Sequence, residues 1–274
     1  MRTIVIGDVH GCLEELEELM DKVNYQRGQD EIVFVGDLMD RGPDPVGVVH
    51  YVRQMQANNP DVVCVQGNHE EKHVRWARHE KKRIGTGKKN PMSPFDEKKL
   101  REHNALRFDD LQWMEKLPTM HEITPGWVVV HGGMEAGRHI LDQIDKSIIR
   151  CRYVDPRTGY MISADDPYAV PEGAVHWGEA WPGPENVIYG HFCERLGEVM
   201  IRGKATEKGQ FAVYGIDTGC CFGGSLTAMV MEWLDFCNVP PPTRAETKTL
   251  SGPKISFVQV QAKAEYKAFK GGRD

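Results

Sequence analysis

Five short segments of this chain carry residues that bind metal ions or transfer protons. Each segment places a glycine beside an aspartate, an asparagine or a histidine, and long stretches of sequence separate the segments. They are Gly7-Asp8-Val9-His10-Gly11, Gly36-Asp37-Leu38-Met39-Asp40-Arg41-Gly42, Gly67-Asn68-His69-Glu70, Val130-His131-Gly132-Gly133 and Tyr189-Gly190-His191. Carboxylate, amide and imidazole groups together suit Mn, Fe, Co or Zn. The segments therefore predict a transition-metal site.

The chemistry that such a site supports is hydrolysis of a phosphate ester or anhydride. Two divalent ions about 3.5–4 Å apart lower the pKa of a shared water molecule and clamp the phosphoryl group. Asp37 follows the central strand of the predicted sheet, so we expect its carboxylate to bridge the ions. Asp8 and His10 project from one turn and are predicted to bind the first ion. The second ion is predicted to use three further ligands: Asn68, His131 and His191.

Three neighbours of these ligands have predicted roles in catalysis. His69 adjoins Asn68, so we expect it to face the ions and to protonate the leaving oxygen as a general acid. Asp40 is expected to hold that imidazole in its protonated form, and Arg41 to bind phosphoryl oxygens bidentately. The alternative for Asp40 and Arg41 is a surface ion pair at the start of a helix.

Buried strands are predicted to position the five segments, because each segment follows an apolar run: 4–6, 32–35, 62–65, 128–130 and 187–188. Apolar residues at helical spacing over 12–23 and after Pro45 predict crossover helices between the first strands. Sites of open α/β folds lie at the carboxyl ends of the strands, so we expect all five segments at one edge of a sheet. Any single segment is more typical of a turn or helix cap; the ordered set favours a metal centre.

Residues 72–117 interrupt the alternation of strands and helices. Lysines and arginines dominate 72–101, a stretch typical of two polar helices joined by a loop. We predict a helical cap whose positive charge attracts a polyphosphate, with a solvated helix face as the alternative. The cations expected to act are Arg75, Arg78, Lys82 and Arg83. The catalytic domain is predicted over 1–235, and a C-terminal extension over 236–274 with one late strand at 255–260.

Composition excludes several classes of protein. The 274 residues carry a net charge of -6, which argues against a general nucleic-acid binder. No apolar run approaches membrane-spanning length, and the N-terminus has no signal-peptide pattern. The seven cysteines are odd in number and lack Cys-x-x-Cys spacing, which predicts reduced packing residues and a cytoplasmic location. The sequence indicates no obligate protein partner.

The five segments resemble, intact and in order, the motifs of the phosphoprotein-phosphatase branch of the metallophosphoesterases. The resemblance covers residues 1–232 and implies an α/β fold, a four-layer αββα sandwich with a dinuclear metal centre. It implies Mn²⁺ as the metal, with Fe, Co, Ni and Zn as alternatives. The roles it implies agree with those above: Asp37 is shared between the ions, His69 is the acid, Asp40 its partner and Arg41 a phosphate clamp.

Two more segments concern the substrate. Residues 215–228 look like the terminal signature of bacterial symmetrical diadenosine tetraphosphatases, and 149–153 is similar to an arginine-bearing segment of those enzymes. Arg150 and Arg152 are therefore expected to bind substrate, since paired arginines suit a polyphosphate. The resemblance implies hydrolysis of diadenosine tetraphosphate to two ADP, and leaves open whether nucleotide-capped RNA is also cut. The alternatives are a Ser/Thr or Tyr protein phosphatase of the same family and a non-catalytic phosphate-binding scaffold.

Overall fold

Two five-stranded β-sheets form the centre of the computed structural model, which describes residues 2–163, 169–206, 209–233 and 252–270. Strands and helices are numbered in chain order. The first sheet contains, in spatial order, β13 (Lys254–Gln261), β12 (Ser225–Glu232), β1 (Arg2–Ile6), β2 (Asp30–Phe34) and β3 (Val62–Cys64). The second contains β10 (Met200–Thr206), β11 (Gly209–Gly215), β9 (Asn186–Tyr189), β5 (Trp127–Val130) and β4 (Met120–Thr124). A smaller sheet contains β7 (Met161–Ile162), β6 (Tyr153–Val154) and β8 (Val175–His176).

Strands β1, β2 and β3 pair in parallel because two helices, α1 (Leu13–Lys22) and α2 (Pro45–Asn58), cross over between them. The side chain of Asp44 accepts a hydrogen bond from the backbone N–H of Gly47 at 2.8 Å, which caps α2. Both helices bury the apolar faces that their spacing predicts, although Leu13 and Met55 are only half-buried.

The two large sheets pack face to face through an aliphatic core. Side chains of Val5 and Val33 from the first sheet pack there with Val129 and Ile188 from the second. Helices α1 and α2 cover the outer face of the first sheet. The outer face of the second sheet is covered by loops and two short helices, α6 (Asp145–Ile148) and α7 (Trp177–Ala180), after a single 3-10 turn (Ile140–Asp142). The predicted α/β fold, with its helix–sheet–sheet–helix layers, is confirmed.

The predicted insert consists of three helices: α3 (Asn68–Thr86), α4 (Glu97–Ala105) and α5 (Phe108–Glu115). Helix α3 begins at Asn68, four residues before the predicted start of the insert. Gly67 is its N-cap, and the Glu70 carboxylate accepts the Gly67 backbone N–H at 3.0 Å. The third segment therefore lies in the first turn of a helix, and Glu70 closes that turn.

The late strand predicted at 255–260 is β13, which pairs antiparallel with β12 and becomes an edge of the first sheet. The predicted domain boundary at residue 235 lies outside the described residues. The six cysteines within the described ranges are unpaired and buried, as expected for packing residues. None of the helices in those ranges has both the length and the apolar composition to cross a membrane.

Candidate metal centre

The five segments meet where the two large sheets face each other. The segments of Asp8 and Asp37 follow β1 and β2 of the first sheet, whereas those of His131 and His191 follow β5 and β9 of the second. The expectation of a single sheet edge is therefore wrong. The chain leaves the first sheet through the helical insert and starts a separate sheet at β4, and the ligands converge because the carboxyl ends of both sheets oppose each other.

One group of ligand atoms surrounds the Oδ1 side of Asp37. His131 Nε2 lies 3.2 Å from Asp37 Oδ1 and 3.0 Å from Asn68 Oδ1. His131 Nδ1 donates to the backbone carbonyl of Val35 at 2.8 Å, which leaves Nε2 to bind an ion. His191 completes a cluster whose ligand atoms lie within 4.8 Å of one another. Its Nε2 is buried and has no hydrogen-bond partner among the described residues, which fits a missing metal bond.

A second group surrounds the Oδ2 side of Asp37. His10 Nε2 lies 3.4 Å from Asp37 Oδ2 and 3.8 Å from Asp8 Oδ2. The other ring nitrogen of His10 donates to the carbonyl of Met39 at 2.8 Å, so Nε2 faces the carboxylates. The two oxygens of Asp37 thus face different histidines. This is the arrangement that a bridging carboxylate requires, and the donor set fits two divalent ions.

Arg41 lies in contact with His10 of the second group and with His69. Its Nη1 is 2.6 Å from His10 Nε2, and its Nη2 is 3.2 Å from His69 Nε2. A hydrogen bond at His10 Nε2 and a metal bond at the same nitrogen exclude each other. Metal binding therefore requires the guanidinium to move away from His10. Four neighbours raise the pKa of Arg41 against the effect of burial: Cys221, Asp37, Asp217 and Asp8.

His69 and Asp40 form a buried pair beside the metal ligands. His69 Nδ1 lies 2.5 Å from Asp40 Oδ2, and His69 Nε2 lies 3.8 Å from Asp37 Oδ2. Asp40 is 2% exposed, which rules out the alternative of a surface ion pair. Its other oxygen is 3.0 Å from His73 Nε2, and the Lys99 ammonium also contacts the carboxylate. Burial alone would raise the pKa of Asp40, but hydrogen bonds from His69 and His73 hold it well below its ordinary value.

Burial lowers the pKa of His69 below its ordinary value, and the Arg41 charge acts in the same direction. The carboxylates of Asp37 and Asp40 oppose this effect. Because Nδ1 is committed to Asp40, only Nε2 can give a proton to a leaving group. The arrangement agrees with the predicted roles of His69 as acid and Asp40 as its partner, which nevertheless stay predictions.

Glu70 is a site residue whose role the sequence did not indicate. Its carboxylate is fully buried and accepts four backbone N–H groups, from Gly67, Asp37, Leu38 and Met39, at 2.8–3.0 Å. Burial and the charge of Asp37 raise the pKa of Glu70 to about 7. Glu70 thereby joins the turn after β2 to the first turn of α3. Its position in the Gly-Asn-His-Glu segment was the available signal.

The site residues occupy unusual backbone conformations. Five non-glycine residues of the site have positive φ: His10 (46°), Asp37 (50°), Asp40 (70°), Arg41 (70°) and His191 (67°). Each such conformation costs about 1–3 kcal/mol and persists only where surrounding contacts fix it. The four hydrogen bonds to Glu70 and two from the Lys98 ammonium, to the carbonyls of Arg41 and Gly42, are such contacts.

Two glycines leave room for the carboxylates. A Cβ atom at Gly190 would collide with the Asp8 carboxylate, and one at Gly67 would collide with the Asp37 carboxylate. The backbone N–H of His191 donates to both Asp8 oxygens at 3.0 Å. The glycines of the motifs therefore let the backbone approach the ligands closely.

A profile of the calcineurin-like phosphoesterases matches residues 1–203. The chain belongs to this family. The predicted resemblance to metallophosphoesterases is thereby confirmed, and the family-level assignment as a phosphoesterase accords with the clustered Asp and His ligands.

Relatives of this phosphoesterase include tetraphosphatases of two cleavage types. The chain is 30% identical, over an alignment of 277 positions, to the symmetrical bis(5'-nucleosyl)-tetraphosphatase of Yersinia pseudotuberculosis, covering 86% of this chain and 90% of the relative. It is 28% identical over 248 residues to the asymmetrical bis(5'-nucleosyl)-tetraphosphatase PrpE of Oceanobacillus iheyensis, covering 87% of this chain and 92% of the relative.

Solved structures share the fold of this phosphoesterase. One, provisionally assigned as a diadenosine tetraphosphatase, has a TM-score of 0.64 at 23% identity and covers 95% of this chain and 93% of its own. A serine/threonine phosphatase from Saccharomyces cerevisiae, similar to human phosphatase PP5, has a TM-score of 0.53 at 16% identity and covers 96% and 80%. Both enzyme types therefore use the same architecture.

The phosphoesterase has a cavity on each flank of the ligand cluster. One, of about 340 Å³, adjoins Asn68 and His191 and is lined by Arg150 and Arg152. Arg150 Nη2 also lies 2.5 Å from the Glu71 carboxylate, which fixes its position. The structure thus places both predicted substrate-binding arginines beside Asn68 and His191 of the first group. The other cavity, of about 300 Å³, adjoins His69, Asp40 and Arg41 and has Lys98, Lys99 and Lys267 in its walls.

Helices α3 and α4 of the insert differ in their distance from the site. The arginines of α3 pair with nearby carboxylates: Arg75 with Glu71, Arg78 with Glu115 and Arg83 with Glu80. Arg78 and Arg83 are exposed, and Arg75 is half-buried. None of the four cations predicted to act lines either flanking cavity. These side chains fit the alternative, a solvated helix face, and the cations of the insert that reach the site are Lys98 and Lys99 of α4.

One more buried carboxylate lies beside the ligands. Asp217, within the predicted signature 215–228, is 5% exposed and accepts the Gly219 backbone N–H at 3.1 Å. Burial raises the pKa of Asp217, although Arg41 opposes the shift. The charge of Asp217 in turn raises the pKa of Asp8, after the larger effect of burial. The glycine-rich signature therefore contributes the Asp217 carboxylate to the site, as well as a turn whose backbone lies close to the ligands.

Proposed function

We propose that this phosphoesterase hydrolyses dinucleoside polyphosphates, with diadenosine tetraphosphate cleaved to two ADP. The observation that carries the proposal is the pair of flanking cavities, one with Arg150 and Arg152 and the other with Arg41 and Lys267. A phosphate chain between two nucleosides needs cationic groups on both sides of the bond that breaks. A simple monoester needs them on one side only. The names of the relatives support the same substrate class.

The proposed metal centre uses six side chains. Asp8, His10 and Asp37 would hold the first ion, and Asp37, Asn68, His131 and His191 the second. When bound, the two ions would supply an activated water molecule and neutralise charge on the phosphoryl oxygens. Mn²⁺ is the proposed metal, because oxygen and imidazole donors suit it, with Fe, Co, Ni and Zn as alternatives.

The remaining chemistry falls to the protein's own groups. Water adds to one inner phosphorus, the bond from that phosphorus to the central bridging oxygen breaks, and the proton lost by the water is released to solvent. His69 Nε2 gives its proton to the leaving oxygen, and the products are two ADP. Asp40 keeps the imidazole oriented through Nδ1 and stabilises its charged form. Arg41, once turned away from His10, binds a phosphoryl oxygen. Arg150 and Arg152 bind the phosphates of the half that is attacked.

A second candidate is asymmetrical cleavage to ATP and AMP, which the relationship to the asymmetrical PrpE enzyme favours. The two reactions differ in how many phosphates each flanking cavity accepts. We retain symmetrical cleavage as the proposal because segments 149–153 and 215–228 look like those of symmetrical enzymes. A protein phosphatase is the other enzymatic alternative, and a non-catalytic scaffold would have no use for the His69–Asp40 pair.

Product analysis tests the proposal directly. Mn²⁺-loaded protein is incubated with diadenosine tetraphosphate or with a phosphopeptide, and the products are separated by ion-exchange chromatography. Two ADP as the sole nucleotide products support symmetrical cleavage, whereas equal ATP and AMP establish the asymmetrical reaction. Release of phosphate from the peptide with intact dinucleotide would overturn the proposed substrate class.

A further inference from the structure

The end of the chain returns to the site. Residues 262–270 follow β13 and pack against α1, where one carboxylate oxygen of Glu15 accepts the Lys263 backbone N–H at 3.0 Å and the Tyr266 hydroxyl at 2.8 Å. Glu15 is fully buried, so the acceptor side of these hydrogen bonds is removed from water. The segment is therefore held in place and is not merely adjacent to the fold.

Two further contacts connect this segment to the catalytic side of the site. The backbone N–H of Lys267 donates to the carbonyl of Cys221 at 2.9 Å. The centre of the Phe269 ring lies 5.5 Å from the centre of the Phe222 ring. The Arg41 guanidinium lies 5.0 Å from the centre of the same Phe222 ring. The family profile ends at residue 203, so this segment lies outside the matched region.

Tyr266 and Lys267 form one wall of the cavity of about 300 Å³ that adjoins His69. The start of α4 also lines this cavity, with Lys98, Lys99, Glu102 and the N-cap Asp96. The volume of this cavity is at the lower end of the range for ligand pockets. It is enough for two phosphates and a sugar. The base of a nucleotide would then lie at the mouth.

The three lysines of this cavity differ in the number of hydrogen bonds and ion pairs that their ammonium groups make. Lys99 contacts the Asp40 carboxylate, and Lys98 donates to two backbone carbonyls and lies 3.7 Å from Glu102. The exposed Lys267 ammonium makes no hydrogen bond or ion pair with any described residue. An anion entering the cavity would therefore find its most available cation on the C-terminal segment.

We propose that this cavity binds the nucleoside diphosphate that leaves from His69, and that Lys267 binds its phosphates. The inference rests on the proposed function, because the leaving oxygen must lie beside the imidazole that protonates it. The departing half of the substrate therefore extends into the cavity that adjoins His69. The C-terminal segment is then part of the substrate site, and Lys267 determines the preference for a nucleotide leaving group over a small one.

Titration calorimetry of Mn²⁺-loaded protein with ADP tests the inference. In Lys267→Ala, the dissociation constant for ADP should rise about three- to tenfold, the loss expected for one exposed charge-assisted contact. Lys267→Arg should restore most of the affinity. Lys270→Ala is the matched control, because it removes an equal charge from the same segment outside the cavity, and it should bind ADP like the unmodified protein.

Kinetics with two substrates complete the test. Lys267→Ala should raise the KM for diadenosine tetraphosphate by a similar factor and the KM for p-nitrophenyl phosphate by less, because that leaving group carries no phosphates. Lys270→Ala should leave both values unchanged. Equal ADP affinities in Lys267→Ala and unmodified protein would overturn the inference, as would an equal loss in Lys270→Ala. If ADP binding depends on Lys267 but the dinucleotide is not hydrolysed, the proposed function fails and the nucleotide-binding cavity stands.

Discussion

The two sides of the site are built on different principles. The metal-ligand side consists of side chains that follow strand ends or lie in the first turn of α3, and those of Asp8, His10 and Asp37 are at most 3% exposed. Strained backbone, buried hydrogen bonds and glycines without space for a Cβ atom fix their positions. The leaving-group side consists of α4 and residues 262–270, where Lys98 has a side chain that is 51% exposed. The side chains of the metal-ligand side can hardly move, whereas those of the leaving-group side can change conformation with the substrate.

Removing the metal should have the largest effect, because it disables the whole ligand side. We expect treatment with a chelator to abolish hydrolysis, and Mn²⁺ to restore it. The measurement is turnover of p-nitrophenyl phosphate together with elemental analysis of the same samples. Full activity in protein that contains no metal would show that the clustered Asp and His residues are not a catalytic metal centre.

His69→Asn tests whether the boundary between the two sides lies at this histidine. Turnover of diadenosine tetraphosphate should fall by about 10²–10⁴-fold, the usual contribution of a general acid. Metal content should remain near two ions per chain, as the two-metal mechanism requires. The loss should be smaller with p-nitrophenyl phosphate, because its leaving group needs less protonation. Loss of bound metal in this variant would instead identify His69 as a ligand.

Glu70→Gln tests the rigidity of the ligand side. The substitution replaces one acceptor oxygen by an NH₂ group, so up to two of the four bound N–H groups lose their partner. Buried donors without partners cost about 1–3 kcal/mol, and the free energy of unfolding should fall by that amount. Denaturant unfolding of the metal-free protein measures it.

The matched control for Glu70→Gln is Glu71→Gln, since the Glu71 side chain is 19% exposed and forms ion pairs at the rim of the site. We expect Glu71→Gln to change the free energy of unfolding by less than about 1 kcal/mol. Equal losses in both variants would contradict the role of Glu70 as the connector of the two turns.

The smallest effects are expected where the insert meets the site. Lys99→Met removes a cation that contacts Asp40, and turnover of the dinucleotide should fall about tenfold, as for a buried charge-assisted contact. Arg78→Met is the matched change on α3, where the side chain is 61% exposed and pairs with Glu115. Its effect on turnover and KM should stay within about twofold.

Neutralising all four α3 cations together tests whether α3 contributes to substrate binding as α4 does. The Arg75, Arg78, Lys82 and Arg83 side chains lie outside both cavities, so the combined variant should keep its KM at physiological salt and lose only a weak, salt-dependent steering effect. A large rise in KM confined to the dinucleotide would restore the cap prediction for α3.

The sequence predicted the parts of the fold that repeat a local pattern. Strands β1, β2, β3 and β5 each contain a short apolar run, and α1 and α2 show helical spacing. It missed β4 and β10, since their polar residues at 120–124 and 200–206 give no apolar run. It also started the insert too late, because Gly67 is equally typical of a turn and of an N-cap.

The sequence by itself determined which side chains could hold metal, because ligand types in glycine-rich turns after buried strands form a local pattern. Their assembly from two facing sheets, the positive φ angles of five site residues and the four contacts of Glu70 depend on tertiary structure. Lys99 and Lys267 look like ordinary surface lysines in the sequence. Only folding brings them to His69, because contacts between residues far apart in the chain leave no local periodicity to read.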